Sequence, residues 1–563
     1  LTPKLMAAAG ALLVALLAGT WWLASVMGPP AESEPISVLV ADFVNETGDA
    51  SFDGALEQTL AIAMEGASFI SAFPPARARK LAEQLEPGSS LDENMARLIS
   101  RREGLSVILL GTITGGERGY GVTVEAVDPG VEAGEGGALA TAREAARDKD
   151  GVLAAVAKAA AELRGDLGDS TPRSDRMAAA ETFTTASLDA MRAYARGQDL
   201  VTQGKFELAL ISFEAAVEYD PEFGRAYAGM GVVYGNLRDP EKSEESYQKA
   251  LQHLDRMSER ERYRTLGGYY LVVSHNYEKA IESYEKLVEL YPADRAAYTN
   301  LSLAYLNTRD FVRASEVGRK AVEIEPSSVI KRINHAMFAM YAGDFETSMS
   351  ESRTVLEMSP DFGYAWFTLG RSAMASGDFD TARDAFATLG AEGGMGSTLA
   401  PMGETDLEML LGHYDRALEV VSPAIEASEN PFEQASMLVA LGEARLVLGD
   451  PDQAMAAVRR ALDASGHDSV LYLAARVLLH AGDLDGMEAV AVRLEDKLQS
   501  QTTALAGPLR GERALIEGRL PEAVRTLRNA WQEYDLWFAR YLMGRAYLEV
   551  GHYPEALDEF QLC

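Results

Sequence analysis

A glycine-rich segment is the first candidate for chemistry in this chain. GTITGGERGYG spans residues 111–121 and has the backbone freedom that phosphate binding needs. A phosphate-binding loop requires backbone N–H groups that feed the N-terminus of a helix, together with a GxxxxGK[ST] pattern. This segment lacks that pattern, and no predicted helix starts directly after it. We therefore expect a β-hairpin turn.

Acidic and histidine side chains form the next candidates. Asp42, Glu46, Asp49 and Asp53 lie close together, but a calcium loop needs oxygen ligands at regular alternate positions, and this spacing does not match. Carboxylates just before Gly54 are typical of turns and helix N-caps. The seven histidines lack an HExxH spacing and lie at positions 253, 275, 335, 413, 467, 480 and 552. We expect surface or packing roles for them, and neither a metal nor a cofactor.

A repeat of small residues organises the larger part of the chain. The residues of this repeat lie 34 or 37 positions apart, and a second small residue follows each one after twelve positions. The first set is Gly197, Gly231, Gly268, Ser302, Ala336 and Gly370, and the second is Ala209, Ser243, Ala280, Ala314, Ser348 and Ala382. A period near 34 predicts stacked helix–turn–helix units, in which small side chains let two helices approach closely. Such units bury their apolar faces only by stacking, which favours binding over catalysis.

These units resemble the tetratricopeptide repeat family. In the first unit, Gly197, the turn residue Gly204, Ala209 and the aromatic Phe213 follow the family's order. The resemblance covers roughly residues 187–563. It implies a long α-solenoid whose last repeat is truncated.

The sequence departs from the family pattern in two places. Between residues 393 and 431, Pro423 falls within a predicted second helix. Around residues 468–500, Ala475 and Met487 stand where a pair of small residues is expected. We expect irregular units at both places.

Composition excludes some partners and indicates an incomplete chain. The net charge is −33, from 85 acidic and 52 basic residues, and no block of Lys and Arg is present. A nucleic-acid partner would need a basic surface to neutralise phosphates, so we expect none. The single cysteine, Cys563, allows no internal disulfide. Because residue 1 is Leu and Cys563 falls inside the last repeat, the sequence looks like part of a longer protein.

The start of the chain predicts a membrane anchor in residues 1–30. Residues 6–26 contain no charged side chain, and 21 helical residues span roughly 30 Å, the hydrocarbon thickness of a bilayer. Lys4 precedes this span and Glu32 follows it, which favours an inside N-terminus and places residues 31–563 outside the cytoplasm. The alternative is a cleaved signal peptide, since the apolar stretch follows a short basic start.

Residues 36–166 predict a small α/β domain. The apolar run ISVLVADF reads as a strand, and helical segments alternate with further strands up to a closing helix in KDGVLAAVAKAAAELRGDL. Such alternation indicates a mixed sheet covered by helices. Residues 167–186 are expected to be a linker to the repeats. The whole chain is thus expected to be mostly α.

The α/β region also resembles a known domain. VLVADFVNETGDASFDGALEQTLAIAMEG, with a later strand ending in LLGTI, is similar to a domain that follows the membrane span in bacterial receptor-type serine/threonine protein kinases. It is similar as well to the amino-terminal domain of the periplasmic Tol propeller protein. The order of span, α/β domain and repeats implies a missing N-terminal kinase, or a winged-helix regulator or cyclase in its place. No HRD-type loop with a downstream DFG is present, so we expect no enzyme within these residues.

The resemblance to tetratricopeptide repeats implies a peptide groove on the first helix of each unit. The family's groove positions correspond to Ile330, Ile333, Met337 and Met340 in the fifth repeat and to Tyr364, Phe367, Arg371 and Met374 in the sixth. An apolar, Met-containing stripe with one cation suits an extended or helical segment with apolar anchors. The alternative is that several of these side chains pack between helices. The basic residues of the family's carboxylate clamp are not matched.

Together these features predict the sensing or docking region of a bacterial signalling protein. It would be held in the inner membrane by residues 6–26 and would bind proteins or peptides outside the cytoplasm. A free-standing envelope scaffold, which assembles other envelope proteins, is the alternative.

Overall fold

The structure is a computed structural model of the chain. It describes residues 35–116, 119–132, 137–181, 185, 187–393, 396–497, 500–534 and 536–563. The predicted membrane helix at residues 6–26 lies outside these ranges. Within the ranges, no helix combines the length and the apolar character that a bilayer crossing requires.

The chain divides into two compact units. The N-terminal unit comprises Leu1–Ser274 and Lys279–Asn300, and the C-terminal unit comprises His275–Glu278 and Leu301–Cys563. The division falls within the repeats. The first repeats therefore belong to the same compact unit as the α/β part.

A six-stranded mixed sheet forms the centre of the α/β part. Its strands are β1 (Ile36–Val40), β2 (Val44–Asn45), β3 (Ile70–Ala72), β4 (Val107–Gly116), β5 (Gly119–Val127) and β6 (Ala138–Ala146). The order is β3-β1-β4-β5-β6, with β2 paired to β4. β1 runs parallel to β3 and β4, whereas β4, β5 and β6 pair antiparallel. The predicted mixed sheet is confirmed.

Helices cover this sheet and lead into the repeats. They are α1 (Ala55–Met64), α2 (Pro75–Leu85), α3 (Glu93–Glu103), α4 (Val152–Asp166) and α5 (Arg173–Glu181). α4 is the closing helix that the sequence predicts, and its residues Val156, Ala159 and Leu163 are fully buried. α5 is a short helix within the expected linker.

The glycine-rich segment is the β-hairpin turn that its sequence predicts. Gly116 pairs with Gly119 at the end of the β4–β5 ladder. Gly119 has φ of 110°, and a Cβ there would lie 2.4 Å from the carbonyl oxygen of Ala146. This position requires glycine for both reasons. The carboxylate of Asp49 caps a short 3₁₀ helix, Ala50–Phe52, and pairs with Lys149 at 2.8 Å.

Paired helices make up the rest of both units. The N-terminal unit holds α6 (Leu188–Thr202), α7 (Phe206–Tyr219), α8 (Gly224–Asn236), α9 (Pro240–Gln252) and α10 (Glu259–Gly268), while α11 (Tyr277–Leu290) and α12 (Arg295–Asn307) cross the unit boundary. The C-terminal unit holds α13 (Phe311–Ile324), α14 (Val329–Tyr341), α15 (Phe345–Met358), α16 (Gly363–Ser376), α17 (Phe379–Glu392), α18 (Gly396–Leu410), α19 (Tyr414–Ala427), α20 (Pro431–Val447), α21 (Pro451–Ala464), α22 (Asp468–Ala481), α23 (Leu484–Glu495), α24 (Ser500–Thr503), α25 (Ala506–Ile516), α26 (Leu520–Glu533), α27 (Trp537–Glu549) and α28 (Tyr553–Gln561). This confirms the predicted stack of helix pairs.

The turn within a pair has a recurring chemistry. Between α16 and α17, Gly377 adopts φ of 84°, and Asp378 then accepts a hydrogen bond from the backbone N–H of Thr381 at 3.1 Å. The left-handed glycine ends the first helix, and the aspartate caps the second. The same aspartate cap occurs at Asp239, Asp310, Asp344, Asp450 and Asp483.

Small residues allow the close helix contacts that the period predicts. The ring of Phe386 lies against both Gly370 and Gly403, where a Cβ would come within 2.5 and 2.3 Å of it. In the third repeat, Gly267 rather than Gly268 faces the ring of Tyr284. The connection between α9 and α10 is two residues longer than the connection between α7 and α8 and contains a short 3₁₀ helix, Leu254–Arg256; together with the shift from Gly268 to Gly267, this accounts for the spacing of 37.

The two units expected to be irregular keep their helix pairs but depart in spacing: Gly403 and Gly442 lie 39 residues apart, and the short helix α24 follows α23. Pro423 lies inside the continuous helix α19, and Ala475 and Met487 are fully buried in α22 and α23. Pro423 does not break α19, because one missing N–H costs a single backbone hydrogen bond, which packing of the helix on its neighbours offsets.

Candidate functional site

The first helices of successive pairs form one layer in the C-terminal unit. Each of them packs against the first helix of the next pair as well as against its own partner. We call the free side of this layer the inner surface, and its helices are α14, α16, α18, α20, α22 and α25. The predicted groove residues all lie on α14 and α16.

Contacts between distant repeats close this layer within the C-terminal unit. The guanidinium of Arg309 lies 3.4 Å from the carboxylate of Asp468, and the hydroxyl of Tyr534 donates a hydrogen bond to the carbonyl oxygen of Thr308. These pairs are 159 and 226 residues apart in sequence. The repeats between these residues therefore curve back toward one another.

The predicted groove residues differ in exposure. Ile330 and Tyr364 are exposed, at 56% and 50%. Ile333 is buried, with 7% of its surface exposed, and packs in a cluster with Ala336 and Val355. The groove prediction was wrong for Ile333, whose side chain points between the helices. The remaining five residues, Met337, Met340, Phe367, Arg371 and Met374, are half-buried.

Phe367 connects the core to the inner surface. Its ring packs against Phe386 at a centroid distance of 6.3 Å. The guanidinium of Arg371 lies 5.5 Å from the centroid of the Phe367 ring. The same guanidinium forms an ion pair with the carboxylate of Asp406 at 3.1 Å. Phe367 thus contacts both the core residue Phe386 and the Arg371–Asp406 ion pair.

A row of charged side chains follows along the inner surface. Each occupies the position directly after the small residue of a first helix, and together they are Arg371, Glu404, Glu443, Arg476 and Glu512. Arg476 donates to both carboxylate oxygens of Glu512, at 3.0 and 3.2 Å, and His480 contacts the same carboxylate at 3.0 Å. These positions lie 33, 39, 33 and 36 residues apart, so the strict 34-residue period did not locate them, and the groove prediction stopped at the sixth repeat.

The pKa values of these carboxyls depart from their usual values in both directions. Burial raises the pKa of Asp406 and of Glu443, although both side chains keep some contact with solvent. Burial also opposes ionisation of Glu512, but hydrogen bonds from His480 and Arg476 outweigh it and lower its pKa to about 2.

The charge of the inner surface favours a basic ligand. Glu404, Asp406, Glu443 and Glu512 face two cations, Arg371 and Arg476, and the exposed apolar side chains of Ile330 and Tyr364 lie in the repeats before them. A peptide with apolar anchors followed by a basic side chain complements this order. The alternative that the whole predicted stripe is core does not hold for Ile330 and Tyr364.

We expect two neighbouring substitutions to separate core from groove. Phe367→Ala removes a half-buried ring and should lower the free energy of unfolding by about 1–3 kcal/mol, below the cost of a fully buried ring. Tyr364→Ala, three residues earlier, should change it by less than about 0.5 kcal/mol because that ring is half exposed. Denaturant titration of both variants tests this. If Tyr364→Ala lowered the free energy of unfolding by more than about 1 kcal/mol, Tyr364 would be a core residue and not part of the groove.

In the N-terminal unit, the first helices of the early repeats contact the α/β part. Arg260 donates to the carbonyl oxygens of Glu65 and Ile70, at 2.9 and 3.0 Å, and Arg295 donates to that of Ala72. Arg79 of α2 pairs with Asp199 of α6 at 2.7 Å. The α/β part therefore packs against the first helices of the early repeats, a contact that the sequence did not predict.

The helix pairs, their turn chemistry and this layered packing define a class of repeat protein that binds other proteins. A tetratricopeptide repeat model matches residues 194–256, 265–329, 334–393, 406–469 and 439–491, and a second one matches residues 537–561. The chain belongs to the tetratricopeptide repeat family.

One curated relative comes from Pseudomonas aeruginosa. The type IV pilus assembly protein PilF is 30% identical to this chain over 127 residues, which make up 21% of this chain and 47% of that protein. The chain thus spans about half the length of the curated relative that it matches.

Solved structures with similar repeats include proteins of bacterial and eukaryotic origin. The structure of Pseudomonas aeruginosa PilF is 20% identical and covers 37% of this chain and 94% of its own, with a TM-score of 0.31. PilW, described as a widely conserved type IV pilus biogenesis factor, is 17% identical to this chain. The match covers 36% of this chain and 92% of PilW, with a TM-score of 0.32. Yeast Tom70 is 13% identical to this chain. The match covers 64% of this chain and 96% of Tom70, with a TM-score of 0.36.

Proposed function

We propose that this chain is a non-enzymatic scaffold that holds protein segments on its inner surface and helps to assemble a cell-envelope structure of the type IV pilus kind. The observation that carries the proposal is the 30% identity to a pilus assembly protein over 127 residues. Tetratricopeptide repeats generally bind proteins, which agrees with this role.

The inner surface of the C-terminal unit is the proposed binding site. Exposed Ile330 and Tyr364 offer apolar contacts, and Asp406 and Glu443 offer carboxyl groups to a basic side chain. Charge-assisted hydrogen bonds are strong where water is scarce. The ligand proposed here is an extended segment with apolar side chains and at least one Lys or Arg.

The proposal follows the scaffold alternative rather than the signalling interpretation. The matched proteins give no support to a fused kinase. We retain the proposed location at the bacterial inner membrane, with residues 31–563 outside the cytoplasm, because assembly of an envelope structure takes place there. Protease added to intact spheroplasts should then digest the repeats, and full protection before lysis would contradict this location.

Genetic complementation tests the assembly role. In the organism that carries this gene, its deletion should reduce the number of surface pili, and the wild-type gene should restore them. Glu443→Lys should fail to restore them, because it repels a basic segment. The matched control is Glu357→Lys, an equal charge change on the exposed side of the second helix α15, which should restore pili fully.

Two outcomes would count against the proposal. Unchanged pili after deletion would exclude the assembly role. If Glu443→Lys and Glu357→Lys restored pili equally while both accumulated to the wild-type level, the inner surface would not be the binding site.

A further inference from the structure

A cavity of about 320 Å³ lies inside the N-terminal unit. Its walls come from α1 and the β3–α2 connection on one side, and from the first helices of the early repeats on the other. It therefore occupies a gap that remains where the α/β part covers the repeats. The proposed function makes no use of this cavity.

The charged residues of the wall are mostly arginines. Arg225, Arg264 and Arg295 line the cavity, and Glu65 is the one acidic residue of its wall. The wall thus carries an excess of two positive charges, in a chain whose net charge is −33. Such a local excess must come from a specific arrangement, because the composition of the chain opposes it.

Carboxylates behind the wall pair with two of its arginines. Asp294 accepts hydrogen bonds from Arg260 and Arg264, each at 2.8 Å, and Glu261 pairs with Arg225 at 2.5 Å. With these groups counted, four guanidinium groups face three carboxylates. The cavity gives a ligand access to the three guanidinium groups of its wall.

The arginines are fixed in position before any ligand arrives. Arg264 is held by Glu65 at 2.9 Å, and the Nε of Arg225 donates to the hydroxyl of Tyr194 at 2.8 Å. Arg295 is held by the carbonyl oxygen of Ala72 and lies over the ring of Phe73 at 5.3 Å. Preorganised guanidinium groups lose little freedom on binding, and their planar fork matches carboxylate and phosphate oxygens.

The remaining wall is partly apolar. Ile62, Pro74 and Pro75 lie on the α/β side, whereas Gln198 and Thr202 of α6 offer polar side chains. Pockets of this size and mixed lining bind small organic ligands through a few convergent polar groups.

We infer that this cavity binds a small organic anion, with a carboxylate or phosphate head group on Arg225, Arg264 and Arg295 and an apolar body against Ile62 and the two prolines. Such a ligand would bridge the α/β part and the early repeats within the N-terminal unit. This inference does not depend on the proposed assembly role, since it concerns another surface and another class of ligand.

Three six-carbon probes test the inference on the full chain. Hexanoate and hexyl phosphate share the apolar body and differ in the anionic head group, and hexylammonium carries the opposite charge. Titration calorimetry should show saturable binding of at least one anion and none of the cation. The better anion identifies the head group that the cavity prefers.

Two variants place the binding in the cavity. Gln198→Trp fills the space while every ion pair remains, and it should abolish binding. Arg295→Gln removes one charge-assisted contact and should weaken Kd about tenfold to a hundredfold. Arg383→Gln, an exposed arginine on α17 in the other unit, is the control and should keep the wild-type Kd.

The inference is overturned if neither anion binds, if hexylammonium binds as tightly as the anions, or if Gln198→Trp keeps the wild-type Kd. A circular-dichroism melt checks that each variant is folded. If Arg295→Gln does not fold, Gln198→Trp alone decides, because it leaves the buried charge network intact.

Discussion

Asp294→Ala is expected to lower the free energy of unfolding of the N-terminal unit by about 3–5 kcal/mol. The carboxylate of Asp294 is fully buried and accepts hydrogen bonds from Arg260 and Arg264. Burial opposes its ionisation, but the two guanidinium groups outweigh this effect and lower its pKa. The substitution would leave two buried cations with one carboxylate, Glu65, in place of two.

The same carboxylate also begins a helix. Its second oxygen accepts from the backbone N–H groups of Ala296 and Ala297, at 3.1 and 2.9 Å, at the start of α12. Asp378→Ala is the matched control, since Asp378 caps α17 in the same way without a buried arginine partner. Asp378→Ala should lower the local free energy of unfolding by only about 1 kcal/mol.

Hydrogen exchange is the appropriate measurement for this pair of variants. A chain with two compact units need not unfold in one step, so a single melting temperature does not report on one unit. Opening free energies should fall in α1 and α10 for Asp294→Ala and in α17 for Asp378→Ala. Equal losses of about 1 kcal/mol in the two variants would mean that Asp294 acts as a helix cap alone.

The sequence predicted the parts of this fold that are determined locally. The 34-residue period and the small residues at its two fixed positions suffice for the helix pairs, because each pair repeats the same short-range contacts. The hairpin at Gly116 and Gly119 was equally predictable from its glycines. The mixed sheet followed from strands that alternate with helices.

Features that depend on distant contacts were not predictable in this way. β6 has the alanine-rich sequence ALATAREAA, which favours a helix, yet it pairs antiparallel with β5 along its length. The burial of Ile333 depends on Val355 and Ala365, which belong to other helices. The coverage of the early repeats by the α/β part rests on Arg260 and its contacts about 190 residues away.

The inner surface of the C-terminal unit illustrates why the sequence located only some of the residues of the candidate site. In the sixth repeat, the family positions Tyr364, Phe367 and Arg371 are exposed or half-buried, and they stay a prediction of a binding surface. The negative charge of the site lies in later repeats, at Glu443 and Glu512, and becomes one site only when the layer of helices closes. Curvature of a stack accumulates over many repeats and cannot be obtained from one of them.

A buried carboxyl in the α/β part leads to the second large expected effect. Glu57 lies on α1 with 3% of its surface exposed, and its Oε1 accepts a hydrogen bond from the backbone N–H of Phe43 at 2.8 Å. Its Oε2 is buried without a hydrogen-bond partner. Burial is the main cause that raises the pKa of this carboxyl from 4.5 to about 7.

The sign of the effect follows from this raised pKa. The folded protein holds the proton of Glu57 more tightly than the unfolded chain does, so Glu57 contributes its full stability below pH 4.5 and loses it as the pH rises through 7. This pKa difference between the folded and unfolded states lowers the free energy of unfolding by about 3 kcal/mol at pH 8. Glu57→Gln keeps an oxygen that can accept from Phe43 and removes the charge.

We therefore expect Glu57→Gln to match the wild type at pH 4 and to be more stable by about 3 kcal/mol at pH 8. Hydrogen exchange in β1 and α1 at pH 4, 6 and 8, corrected for the intrinsic exchange rate at each pH, measures the difference. Because the comparison is between two chains that differ at one residue, the titration of other buried carboxyls, such as Glu65, cancels. Glu214→Gln on the exposed side of α7 is the control and should change stability by less than about 0.5 kcal/mol at every pH. A difference between Glu57→Gln and the wild type that stays constant from pH 4 to pH 8 would show that Glu57 does not ionise in this range, and the pH dependence would then have another origin.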